Sequence, residues 1–68
     1  MSKGKITKII RDRGFGFIGA EDGREVFFHM SSVVDGSFDN LSEGQDVEFE
    51  VEKSQKGPRA KNVRVIQP

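Results

Sequence analysis

Gly14-Phe15-Gly16-Phe17-Ile18-Gly19 is followed, one short turn later, by Val26-Phe27-Phe28-His29-Met30. These two runs decide how the chain must fold. Side chains alternate along an extended backbone, so residues two apart share a face. Phe15 and Phe17 fall together on one strand, and Phe27 and His29 on the next. Gly16, Ile18, Val26 and Phe28 take the opposite face. Glu21-Asp22-Gly23-Arg24 lies between the runs as a turn signal, and so short a link predicts an antiparallel hairpin. The first run also spells G-x-G-x-x-G, the letters of a dinucleotide-phosphate loop. That loop needs a strand before it, a helix after it and a βαβ unit around it. Here only a hairpin turn follows, and that reading is rejected.

Alternation continues outward from the hairpin. Val47, Phe49 and Val51 alternate with Glu48, Glu50 and Glu52, and Val63 and Val65 with Asn62 and Arg64. Ser42-Glu43-Gly44-Gln45 and Gln55-Lys56-Gly57-Pro58 mark further turns. The pattern predicts five strands, at 4–11, 14–20, 25–30, 46–53 and 60–66. Residues 31–45 form the one long connection, where Ser32-Val33-Val34-Asp35 is expected to cap a helical turn. Ile9 and Ile10 are adjacent, so a flat first strand cannot bury both, and a bulge or strong twist is expected near residues 9–11. The expected fold is all-β: a five-stranded antiparallel barrel, with residues 1–68 as a single domain. Closure removes sheet edges that so small a sheet can ill tolerate.

With 68 residues, the chain buries only about 60% of its unfolded surface. It has no room for a two-domain enzyme or a deep substrate cavity. There is no cysteine and one histidine, which argues against a disulfide staple or a zinc site. His29, Ser31 and Ser32 are too close on an extended segment to converge as a triad. No enzyme activity, metal or cofactor is expected. No membrane span or signal peptide is read, so the expectation is a soluble cytoplasmic monomer.

Charge is balanced overall but segregated. Residues 1–18 carry five bases and one acid, residues 19–52 one base and ten acids, and residues 53–68 five bases and no acid. Segregation of this kind favours a polyanion partner more than net charge does. Rings on both faces of the hairpin exceed what one buried face needs. They form two aromatic layers, or some cover a barrel end, or they make an exposed platform on which nucleobases stack whatever their sequence. Lys5, Lys8, Arg11 and Arg13 precede the rings, and Lys56 and Arg59 sit in a late loop. Interleaved rings and bases suit a binder of single-stranded nucleic acid.

Arg13-Gly14-Phe15-Gly16-Phe17-Ile18 resembles the first ribonucleoprotein motif of the cold-shock domain, with Arg for the usual Lys. Val26-Phe27-Phe28-His29-Met30 resembles the second, more often Val-Phe-Val-His-Phe. Leu41, Glu43-Gly44-Gln45 and Val47 match the entry to strand four. Lys56-Gly57-Pro58, Ala60 and Asn62-Val63 match the last turn and strand. The resemblance covers about residues 4–65. It implies a barrel of the oligonucleotide/oligosaccharide-binding type (OB-fold) and sequence-tolerant binding of single-stranded RNA and DNA, often as an RNA chaperone or antiterminator. It implies stacking roles for Phe15, Phe17, Phe27, His29 and Phe38, and backbone-contacting or flanking roles for Lys5, Arg13 and Lys56. Thr7-Lys8-Ile9-Ile10 stands where most bacterial members have Lys-Trp-Phe-Asn, so Lys8 replaces a stacking tryptophan. Met30 replaces a phenylalanine. Alternation points Met30 inward and the resemblance points it outward; the outward placement is the expectation carried forward. The competing function is a protein-interaction module, using Ile9, Ile10, Met30 and the phenylalanines as an apolar patch.

Overall fold

A computed structural model describes residues 2–34 and 38–66 of the chain. It contains five strands: β1 (Ser2–Ile10), β2 (Phe15–Ala20), β3 (Glu25–His29), β4 (Asp46–Ser54) and β5 (Gly57–Val65). They close into a barrel in the order β1-β2-β3-β5-β4. Four pairings are antiparallel, as expected. The closing one, β3 with β5, is parallel. It continues past the end of β3 as a parallel bridge between Val33 and Val63 of β5.

The β2–β3 hairpin has the register that alternation predicts, with Phe17 opposite Phe27, Gly16 opposite Phe28 and Ile18 opposite Val26. Its turn is held by Asp22, which accepts the Arg24 N–H at 3.0 Å and the Arg24 Nε–H at 2.9 Å. These bonds, the backbone one first, hold the Asp22 carboxyl below its usual pKa. Inside the barrel, Ile6, Ile18, Val26, Phe28, Val47, Phe49 and Val63 are fully buried, and Leu41 joins them from the long connection. Burying one such side chain contributes roughly 1.5–3 kcal/mol. Val51, expected inside, is only half-buried and packs on the edge of this cluster.

Two bulges bend the sheet enough to close. One lies in β1 between Ile6 and Lys8, so that Thr7 is the extra residue. The expected bulge at 9–11 is therefore corrected to Thr7. The displacement still resolves the Ile9–Ile10 conflict, because Ile9 then lies opposite Gly16 toward the core and Ile10 opposite Phe15 on the outside. The other lies in β5 opposite β4 residues 48–50. There Asn62 takes a left-handed backbone (φ 52) and its amide donates to Glu50 at 2.7 Å.

The turn expected at Ser32–Asp35 runs into residues 35–37, which lie outside the described residues, although Val34 has 3-10 geometry. A 3-10 turn spans Met30–Ser32, and His29 caps it by accepting the Ser31 N–H at Nδ1. A second short turn, Phe38–Asn40, leads into Leu41.

Strand order also decides what becomes of the segregated charge. The basic ends do not merge into one face, because β4 lies between β1 and β5. They flank the β2–β3 hairpin instead, β1 on one side and β5 on the other. Glu48, Glu50 and Glu52 lie on β4, which pairs with neither strand of that hairpin.

Candidate nucleic-acid interface

The outer face of the hairpin carries a continuous aromatic patch. The rings of Phe15 and Phe17 are 6.0 Å apart and edge-on, Phe15 and Phe27 are 5.5 Å apart and tilted by 40°, and Phe17 and Phe27 are 6.0 Å apart at 70°. All three are half-buried. Each ring braces its neighbours while keeping surface toward solvent. Gly16 makes this possible from beneath: a Cβ there would sit 2.9 Å from two atoms of the Phe28 ring and 2.5 Å from the Lys8 carbonyl. The glycines of this run thus serve close packing rather than phosphate binding.

His29 lies opposite Phe15 and extends the patch. Because its Nδ1 accepts the Ser31 N–H at 3.1 Å, the neutral ring carries its proton on Nε2. The cap therefore fixes both the orientation of the ring and its remaining donor. Met30 follows. It leaves strand alternation because β3 ends at His29, and its N–H donates to the Gly14 carbonyl at 2.8 Å. Its side chain lies against Gly14 and is 50% exposed. The outward expectation for Met30 agrees with this geometry.

The six basic residues divide into groups. Lys8 is exposed and lies opposite Phe17 on the outer face. Arg13 is exposed in the β1–β2 turn, and Lys56 in the β4–β5 turn. Lys5 stands opposite Gly19, with its ammonium 3.7 Å from Asp46, beyond the end of the rings. Arg59 is the β5 neighbour of Phe27. Arg11 also serves the fold. Its guanidinium donates to the carbonyls of Asp39 at 2.9 Å, Phe38 at 3.5 Å and Leu41. Those bonds tie down the Phe38–Asn40 turn and give the exposed Arg11 a structural role beside the expected ligand contact.

Phe38 departs from the expected stacking position. It is only 4% exposed, with its ring 6.1 Å from that of Phe28. Its place is in the core, on the far side of the hairpin from Phe15, Phe17 and Phe27.

At the Phe17–Phe27 end the patch deepens into a groove of about 660 Å³, completed by Ser54, Gln55, Lys56, Pro58 and Arg59. The turn signal of residues 55–58 was legible in sequence. That it folds over the rings follows only from the parallel β3–β5 closure. No group of three metal-ligating side chains occurs among the described residues, and no helix there is long and apolar enough to cross a membrane.

A family model described as the "'Cold-shock' DNA-binding domain" matches residues 2–66. Cold shock-like protein CspE of Bacillus anthracis is 48% identical over 60 residues, covering 88% of this chain and 90% of its own. Cold shock-like protein CspC of Escherichia coli (strain K12) is 46% identical over 65 residues, 94% of each chain. Among solved structures, drosophila Unr CSD456 has a TM-score of 0.81 at 28% identity, over 98% of this chain and 27% of that one.

Proposed function

Because this chain belongs to the cold-shock DNA-binding domain family, we propose that it binds single-stranded RNA and DNA on the outer face of the β2–β3 hairpin. The family binds nucleic acid and is not an enzyme family. The single observation carrying the finer reading is the cluster of Phe15, Phe17 and Phe27, with ring centroids 5.5–6.0 Å apart and solvent on one side. Bases stack on such rings with little regard to sequence, at roughly 1–3 kcal/mol each. His29 continues the strip, and Met30 ends it with a softer apolar surface. Lys8 and Arg13 on one side, and Lys56 on the other, attract the phosphates; Arg59 adds positive charge beside Phe27 and Lys5 farther along β1. The duplex form buries the base faces this strip needs, so the ligand is an open strand. Holding open strands gives the protein an RNA-chaperone action, as a monomer in the cytoplasm.

The competing reading, an apolar docking patch for a protein, draws on Ile10 and on the exposed Met30. Titration of labelled oligo-dT, oligo-rU and a duplex at two salt concentrations separates the two. The strand-binding reading expects both single strands to bind, the duplex to bind poorly, and affinity to fall steeply with salt. Absence of single-strand binding at low salt would overturn it.

A further inference from the structure

Arg59 has chemistry that sequence-tolerant stacking does not use. It is paired with Phe27 across the parallel β3–β5 contact and with Glu52 across the β4–β5 ladder. Its neighbour Ala60 is buried, so Arg59 projects outward, on the same side as the rings. There it lines the groove beside Phe17 and Phe27. Glu52 stands 3.6 Å from its Nε, too far for a hydrogen bond, and is shared with Lys61 at 3.9 Å. The Arg59 Nε–H is buried and has no acceptor among the described residues. The guanidinium is thus held in place by charge at the wall of an aromatic groove, and because its Nε is buried, the fork it can offer a ligand is the terminal Nη1/Nη2 pair.

We propose that this groove is a base-reading subsite in which Arg59 selects guanine. The inference rests on the stacking function above and adds a preference to it. A base lying on Phe27 presents an edge toward β5, one strand spacing of about 4.8 Å away. A guanidinium fork favours two acceptors side by side on that edge. Guanine offers O6 and N7. Adenine sets an amino donor beside N7, and thymine and uracil set an N–H beside each carbonyl, so each accepts one bond at most. Cytosine has an adjacent pair in O2 and N3 but a smaller ring to stack, and ranks second. A phosphate also accepts the fork, but without regard to base.

The test uses seven-nucleotide oligo-dT with a single dG moved through every position, against the same strands carrying 7-deaza-dG or dA. In one register dG tightens binding by roughly 5- to 150-fold over dT, the range of one bidentate base contact. The 7-deaza base, which lacks N7, loses most of that gain, and dA gains little. Arg59→Lys keeps the charge without the fork and brings the dG-to-dT ratio toward one, whatever happens to overall affinity. Oligo-dT binding with no register favouring dG, an equal gain from 7-deaza-dG, or a preference that survives Arg59→Lys would overturn the assignment while leaving the stacking function standing. Failure of oligo-dT itself to bind would overturn both.

Discussion

Lys8 lies directly across the β1–β2 ladder from Phe17, on the outside of the barrel, because Thr7 is bulged out of register just before it. Ile6 points inward, and unbroken alternation would turn Lys8 inward as well. The bulge instead brings a cation to the edge of the aromatic patch, at a position from which a larger ring would lengthen it.

Replacing that cation tests how the strip ends. Lys8→Trp is expected to tighten single-strand binding at high salt by up to one stacked base, roughly 1–3 kcal/mol or 5- to 150-fold. It should also flatten the salt dependence by up to about 0.7 in log–log slope, the increment of one phosphate contact on a single strand. Titrations at several salt concentrations check both. Unchanged affinity and slope would remove β1 from the binding face.

Adjacent phenylalanines on β3 are expected to behave oppositely. Phe28 is fully buried and Phe27 is half-buried on the outer face. Phe28→Ala should cost about 3–5 kcal/mol, a large part of the stability of so small a domain. Phe27→Ala should cost the fold less than that and cost binding roughly 1–3 kcal/mol. Chemical denaturation and oligonucleotide titration of the two variants give the ranking, and its reversal would make Phe27 a core residue.

Arg11→Ala is expected to loosen the connection, whatever it does to the grip on phosphate. Loss of charged hydrogen bonds to backbone carbonyls should destabilise the domain by roughly 1.5–3 kcal/mol. Hydrogen exchange should quicken at the Leu41 amide, which donates to the Phe38 carbonyl at 3.1 Å. A variant with full stability and exchange protection but reduced affinity would leave Arg11 with the ligand contact alone.

Gly16→Ala probes the floor of the patch. Its Cβ would meet the Lys8 carbonyl at 2.5 Å and the Phe28 ring at 2.9 Å. Backbone and a packed ring cannot both yield cheaply, so a loss of about 1–3 kcal/mol is expected in denaturation. A neutral substitution would contradict the β1–β2–β3 register described here.

Much of this arrangement was legible in sequence because period-two alternation is strong where one face is buried. Phe15, Phe17, Phe27 and His29 therefore separate cleanly from Ile18, Val26 and Phe28. The bulge was legible only as a conflict between Ile9 and Ile10; its position at Thr7 depends on pairing with β2, which no local pattern encodes. The burial of Phe38 and the clamping role of Arg11 escaped the sequence reading for a shared reason. Their places are set by contacts 27–30 residues apart in the chain, between a turn and a connection without periodicity. A base near a ring reads as a ligand contact alone until the carbonyls it holds are seen. Met30 lay where two periodicities meet, and the end of β3 decided its direction.

The most direct test of the central claim is an amide-shift titration of the protein with seven-nucleotide oligo-dT, since the chain has neither Trp nor Tyr for fluorescence. The largest shifts are expected at Phe15, Phe17, Phe27 and His29, extending to Lys8 on one side and to Lys56 and Arg59 on the other, with the amides of Glu48 and Glu50 nearly still. Shifts centred on β4, with the hairpin amides unmoved, would contradict it.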